Sequence, residues 1–399
     1  MYLGIGVLLY LYFFWKLKLR GKNMKIEFLK LLNFRNYKNL SVSFHSSLNI
    51  IYGKNGSGKT NLVEGIYVLA LTKSFRTTGD KTLLLDGASV CKIEGNVNNR
   101  FSANYRIYLS KDGKKVKINQ TKIQKLSDYI SKIAIVLFHP DDLRFIKDTP
   151  STRRKNLNIS ISLMNTLYLN YLNQYNKLLK QRNAYLKQMI INHNQSSSYL
   201  HILNNKLIDM GYFVYEKRKE YVDNINTSLN DFYERITGSP GLSMQYISFY
   251  DNKTKEEIAA SMQNNLKKEL MLGKTLLGVH TDDLKFTLNG KDLKDYGSEG
   301  QQKNAVIAYK FSELELFKEK KGVYPILILD DLFSELDEEK ITNILRMLSP
   351  KWQTFITTTD LKIFSSLRDF SYKQIKIQDG MIVEESEHGR EWKSYPLWW

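Results

Sequence analysis

The sequence holds a single cysteine, Cys91, in 399 residues. That excludes a disulfide framework and a thiolate zinc site, each of which needs several thiols. No cluster of His, Cys and Asp at metal-ligand spacing takes its place. Proline is scarce, six in all, and none falls between Ser151 and Ile236. Acidic residues are outnumbered, 41 against 59 Lys and Arg, which leaves a net charge of +18. Such an excess points to a polyanionic partner, nucleic acid before membrane surface, although the lysines are spread along the chain. Long apolar runs are also missing. Tyr2 to Trp15 spans only 14 residues, against about 20 for a helix that crosses a bilayer. Lys16, Lys18, Arg20 and Lys22 follow it, and it has neither the basic start nor the small-residue cleavage site of a signal peptide. Residues 1–23 are therefore expected to lie outside the fold, with Met24 as the true start, the alternative being a short anchor with its basic flank held inside. A reducing, cytoplasmic location without stable membrane association is expected.

What is present is a folded protein, 42% hydrophobic and 12% aromatic. From Ile26 to Tyr52 the apolar residues alternate or cluster as in strands, and Asn61 to Leu71 has the pattern of a helix. A second β region runs from Val90 to Ile118, with Lys111-Asp112-Gly113-Lys114 as a hairpin turn. Ile133 to Phe138 and Ile326 to Leu329 are short apolar runs of the buried-strand kind. Between them, Ser151 to Ile236 carries Leu, Ile and Tyr at helical spacing, with Gly211 as its one glycine. Two long antiparallel helices broken near Asn192–Ser198 are predicted there. Strands resume at Met244–Tyr250 and Leu284–Leu288.

Gly53-Lys54-Asn55-Gly56-Ser57-Gly58-Lys59-Thr60 satisfies G-x-x-x-x-G-K-[ST] at every fixed position. A strand before it and a helix after it give the context in which backbone N–H groups surround phosphates. Lys59 is expected to reach the β- and γ-phosphates of ATP, and the Thr60 hydroxyl to ligate Mg²⁺. Such a loop needs a second acid at the end of another parallel strand. Ile326-Leu327-Ile328-Leu329-Asp330 supplies it, with Asp330 as the metal-binding residue. Asp331, facing the other way at the strand end, is placed as general base for the attacking water. Gly297-Ser298-Glu299-Gly300-Gln301-Gln302 precedes a helix, which Ser298 can cap.

In this order and spacing, Gly297 to Gln302 resembles the signature motif of ABC-type ATPases. The resemblance implies that Ser298, Glu299, Gly300 and Gln301 contact ATP held by a second copy of the chain. Ser334 and Asp337 then fit a D-loop at the dimer interface, and Thr357-Thr358-Thr359 occupies the switch position. Since 271 residues separate Lys59 from Asp330, the helical lobe sits inside the ATPase domain. Phe34-Arg35-Asn36-Tyr37, Lys73 to Thr77, Phe138 to Leu143, Pro150 to Arg154, Lys180 to Asn183, His280 to Leu284 and Leu329 to Asp337 are similar to the landmarks of the RecF family, in its order. Departures stand at Val279, Thr281, Asn158 and Lys303, the last keeping charge without the planar fork of arginine.

The resemblance implies an α/β fold, an ABC-type P-loop ATPase head of mixed sheet and helices with an inserted antiparallel helical lobe. It implies a first head half at 24–149, the lobe at 150–270, a second half at 271–385 and a tail at 386–399. It further implies an ATP-dependent homodimer that binds single-stranded and gapped duplex DNA. RecO and RecR are the implied partners in loading recombinase, and hydrolysis is a weak, DNA-stimulated switch. Arg76, Arg153, Arg154 and Arg182 are the candidate DNA contacts, with Lys114, Lys115 and Lys117 behind them. Two alternatives share some motifs. A transporter subunit is disfavoured by the long spacing and the helical insert. An ABC-type ATPase of a nuclease-associated anti-phage system shares the head but often carries a fused nuclease, and only a short tail follows Gly380.

Overall fold

The computed structural model describes residues 23–99, 101–191, 197–364 and 371–389. The apolar N-terminal run, most of the predicted break between the long helices and the tryptophan-rich end of the tail lie outside the described residues.

In chain order the structure begins with β1 (Lys25–Phe34), β2 (Tyr37–Ser43), β3 (Leu48–Tyr52) and α1 (Lys59–Leu71). There follow β4 (Val90–Asn99), β5 (Phe101–Ser110), β6 (Gly113–Ile118), β7 (Thr121–Lys122) and β8 (Ile135–Phe138). Next come α2 (Pro150–Met164), α3 (Thr166–Ile191) and α4 (Ser197–Thr237), then β9 (Leu242–Ile247), α5 (Lys255–Asn264) and α6 (Leu266–Leu272). The chain continues through β10 (Asp283–Leu288), β11 (Lys291–Asp292), α7 (Leu293–Tyr296) and α8 (Glu299–Lys321). It closes with β12 (Ile326–Asp330), α9 (Glu338–Met347), β13 (Thr354–Thr358), β14 (Tyr372–Gln378) and β15 (Met381–His388). Strand β15 thus carries the ordered chain past residue 385, where a tail was expected to begin.

The chain divides into two compact units. Among the described residues, the first joins 23–126, 133–138 and those from Phe317 onward. It holds two six-stranded sheets, ordered β2-β1-β4-β5-β6-β7 and β15-β14-β3-β13-β12-β8. In the second of these, β14, β3, β13, β12 and β8 run parallel. Every residue of β12 and β13 is buried, as parallel strands covered on both faces require. Helix α1 is buried almost all round from Leu62 to Leu71, and apart from Glu64 that stretch carries no charged residue. A Cβ on Gly95 would stand 2.5 Å from Leu69, so that glycine lets α1 lie close on the sheet. Gln353, fully buried, stitches the unit internally. It accepts from Ile26 N at 2.7 Å and donates to Ile26 O and His45 O at 2.9 Å.

The second unit comprises residues 127–132 and 139–316. Helices α3 and α4 pack against each other with buried residues at helical spacing, among them Leu200, Leu203, Leu207, Gly211 and Val214. A three-stranded antiparallel sheet, β11-β10-β9, lies in the same unit. Charged groups in its interior are paired rather than absent. Arg218 Nη1 meets Asp282 Oδ2 at 2.9 Å, and the Arg182 guanidinium meets Glu269 at 2.6 Å. Helix α8 is anchored midway along its length. Its Glu313 accepts from Tyr221 of α4 at 2.6 Å and from Ser160 of α2.

Candidate functional site

In an open parallel sheet, ligands gather at the carboxyl ends of the strands. At that end of β3 the loop Gly53–Thr60 turns into α1, and at that end of β12 stands Asp330. Strand β13 lies between them, its Thr357 registered against Asp330 on one side and Ile51 on the other. The Thr60 hydroxyl is 3.1 Å from Asp330 Oδ1, and the Thr357 hydroxyl donates to the same oxygen at 2.6 Å. Two residues 270 positions apart are thereby brought into one polar cluster, oriented by a third.

The loop's shape follows from its glycines. Gly53 has φ +152°, and a Cβ there would meet Ile377 O at 2.2 Å; Gly58 has φ +117° and faces Asn36 at 2.7 Å. The turn Arg35-Asn36-Tyr37 braces the loop from behind. Tyr37 donates from its hydroxyl to Gly58 O at 2.9 Å, and Asn36 donates to Ser57 O at 3.3 Å. Burial pushes the Tyr37 phenol well up, which keeps it a donor. Arg35 grips Glu64 of α1 with two bonds of 2.8 and 2.7 Å, and Ser74 donates to the same buried carboxylate. These partners explain two of the sequence landmarks, whose roles spacing alone had not revealed.

Lys59 is folded back into the loop, with Nζ donating to Gly53 O at 2.8 Å and Lys54 O at 3.0 Å. Burial lowers its pKa, while Asp331 and Asp330 act to raise it. Asp331 is not the last residue of a strand facing away from its neighbour, as expected. It has φ 50°, in the left-handed region, so the extended backbone of β12 has ended at Asp330 and strand alternation no longer governs Asp331. Its N–H donates to Thr357 Oγ1 at 2.9 Å.

The oxygen set fits Mg²⁺. Thr60 Oγ1 and Asp330 Oδ1 stand 3.1 Å apart, close to the ~2.9 Å between adjacent ligands of an octahedron with 2.0–2.1 Å bonds. Mg²⁺ asks few ligands of the protein and keeps waters or substrate phosphates for the rest.

Ser298–Gln301 forms a capping box at the start of α8. Gln301 N donates to Ser298 Oγ at 3.2 Å, and Ser298 N donates to Gln301 Oε1 at 2.9 Å. Glu299, Gly300 and Gln301 are exposed, and a Cβ on Gly300 would meet nothing within 4 Å. Gly297 is different, because a Cβ there would stand 2.5 Å from Leu293 O. Gln302 is buried and donates to Leu293 O at 2.8 Å. Those two residues therefore shape the turn, and the exposed face is left to Ser298–Gln301. Past Asp331, Ser334 donates to Asp331 O at 2.8 Å, and Asp337 caps α9 by accepting from Lys340 N at 2.9 Å.

The candidate DNA contacts need correction. Arg153 is 3% exposed and holds Asp283 with two bonds of 2.7 Å. Arg182 is fully buried among Glu269, Asn204 and Thr275. Both are interior ion-pair partners that no duplex touches in this conformation. Arg154 is half-buried and donates to Asp282 O. Of the four only Arg76 is exposed, its side chain 41% accessible, and it lies 3.0 Å from Asn61 and 3.8 Å from Glu64. Lys114 turns inward to Thr72 O and Asp80. Arg182→Ala is accordingly expected to lower stability by about 3–5 kcal/mol, because Glu269 is left buried without its cation. Urea unfolding measures this, and DNA affinity of the folded fraction is expected to stay unchanged.

A phosphate loop, a strand-end acid and a separate capped Ser-x-Gly-Gln turn, in this sheet order, define an ABC-type ATPase head. The family model described as the RecF/RecN/SMC N-terminal domain matches residues 25–382. The DNA replication and repair protein RecF of Ligilactobacillus salivarius (strain UCC118) is 37% identical over 372 residues, covering 91% of this chain and 98% of that protein. RecF of Staphylococcus epidermidis (strain ATCC 12228) is 37% identical over 371 residues, covering 90% and 100%. A solved structure of the recombination mediator protein RecF with ATP, in the RecFOR pathway, superposes with a TM-score of 0.84. It is 30% identical and covers 92% of this chain and 98% of that one. The chain belongs to the RecF family. An Smc head domain from Pyrococcus furiosus, at 18% identity and a TM-score of 0.53, shares the fold.

Proposed function

We propose that this protein is an ATP-switched DNA-binding protein of replication and recombinational repair, acting as a homodimer in which each ATP is held by both copies. The observation that carries this is the cluster of Thr60, Asp330 and Thr357 beneath the Gly53–Thr60 loop, combined with the exposed, self-capped Ser298–Gln301 turn at the start of α8. ATP binds through the loop's N–H groups, and Lys59 leaves the Gly53 and Lys54 carbonyls to pair with the β- and γ-phosphates. When bound, Mg²⁺ neutralises phosphate charge; Thr60 and Asp330 are the residues that hold it, and Thr357 keeps the Asp330 carboxylate aimed. Asp331 accepts a proton from the attacking water. Ser298, Glu299, Gly300 and Gln301 of the second copy cover the γ-phosphate, with Ser334 and Asp337 at the seam between copies.

Hydrolysis in this scheme is slow and DNA-stimulated, and it releases the dimer rather than powering work. Gapped and single-stranded DNA, RecO and RecR are the proposed partners, in keeping with the RecFOR pathway named for the similar structure. A cytoplasmic setting suits these partners, and no helix among the described residues is long and apolar enough to cross a membrane. Sedimentation velocity tests the proposal. Wild type is expected to be monomeric alone and dimeric with ATP and gapped DNA; a wild type that stays monomeric with both removes the shared-site scheme.

A further inference from the structure

The sheet β2-β1-β4-β5-β6-β7 has one face buried and one open. Cys91, Ile93, Ile107, Leu109 and Val116 point to the buried side, where α1 packs. The alternate residues form the open side, and its chemistry is lopsided. Arg106 of β5 is registered against Lys117 of β6, and Lys117 against Lys122 of β7. Three cations thus stand directly opposite one another across three adjacent strands. Like charges in that register destabilise a sheet. Two residues further along, Lys115 is registered against Tyr108, and Tyr108 against Lys92.

Glu94 is the one acid set among these residues, paired with Lys92 at 2.7 Å and Arg106 at 3.0 Å. Lys115, Lys117 and Lys122 have no carboxylate partner among the described residues. Lys115 and Lys122 are exposed, and Lys117 is half-buried. With Arg106 neutralised by Glu94, Lys115, Lys117 and Lys122 leave an excess of positive charge on this face that an anionic partner would neutralise. We infer that this open face of the β4–β7 sheet is a docking surface for the phosphate backbone of duplex DNA. The inference rests on the DNA-binding reading given above and assigns it a surface.

Duplex is favoured over single strand by two features. Neighbouring strands stand ~4.8 Å apart and residues two along a strand ~6.8 Å apart, so the cations form a two-dimensional array suited to a dense line of phosphates. Tyr108, the aromatic set in this array, already has Lys92 5.9 Å from the centre of its ring, a cation that competes with an unpaired base for it. Contacts of this kind position the backbone without reading sequence.

The test uses the full chain carrying Lys115→Glu and Lys117→Glu, with a labelled blunt duplex and fluorescence anisotropy between 50 and 200 mM salt (about the range over which phosphate contacts change affinity most). Kd is expected to rise at least tenfold at the low-salt end, and the log–log salt slope to shrink by about 1.8. The unfolding midpoint is expected to hold or rise, since Glu at 117 stands between Arg106 and Lys122. A control chain with Lys351→Glu and Lys362→Glu carries the same charge change at other exposed positions. Equal losses in both chains, or none in the first, overturn the inference while the DNA-binding reading stands. Loss confined to binding of anionic phospholipid vesicles, with duplex affinity intact, overturns it as well. A wild type that binds no DNA takes both down together.

Discussion

Lys59→Ala is expected to reduce ATP turnover by about 10²–10³-fold, the cost of losing one well-placed charge on a transferring phosphoryl group. The structure explains why this residue is hard to replace. Its ammonium is held at 2.8 and 3.0 Å by carbonyls of the same loop that will cradle the phosphates, so only a short movement engages it. Burial holds its pKa below the usual lysine value, and the nearby carboxylates of Asp331 and Asp330 only partly oppose that shift. Alanine removes the cation and leaves both carbonyls without that donor. Lys59→Arg is not expected to rescue, because a planar fork does not fit a point-charge position. Phosphate release and binding of a fluorescent ATP analogue together measure the effect, and in sedimentation the variant is expected to remain monomeric with ATP. Turnover within a few-fold of wild type would mean that Lys59 does not reach the phosphates.

Asp331→Asn is expected to give the opposite physical behaviour with a similar loss of rate. Asparagine tolerates the left-handed conformation found here, φ 50°, so the turn and the N–H bond to Thr357 survive the change. What is lost is a proton acceptor, and general-base catalysis contributes about 10²–10⁴-fold. ATP affinity should be unchanged. The dimer should therefore persist on gapped DNA long after the wild type has dispersed. A variant that hydrolyses normally would reassign the base, and one that no longer binds ATP would make Asp331 part of the nucleotide cradle.

Much of this was legible beforehand because its signals are local. A glycine loop between a strand and a helix, and an apolar strand ending in an acid, follow from a few adjacent residues each. The long helices α3 and α4 announce themselves by periodicity. Other features depend on partners far away in sequence and were not visible. Arg153 and Arg182 read as free cations in the sequence, whereas the fold sets Asp283 and Glu269 beside them. The roles of Arg35, Tyr37 and Gln353 were hidden for the same reason, as each acts on residues brought near only by the fold. The strand β15 was missed because, with most of its residues exposed, it lacks the alternation that marks a half-buried strand. The cationic row on β5–β7 needs the register between strands, which no single segment carries.

The central claim is that one ATP site is built from two copies, and mixing two inactive chains tests it most directly. Lys59→Ala disables the loop of one copy, and Ser298→Arg blocks the covering turn of the other. In a mixed dimer one site combines both defects, and the second has an intact loop and an intact turn. Equal mixing of the two chains should restore ATPase activity that neither chain has alone, about a quarter of the wild-type value where the copies pair at random, since each mixed dimer has one good site of two. A mixture as inactive as its components, under conditions where the wild type turns over, would contradict the account.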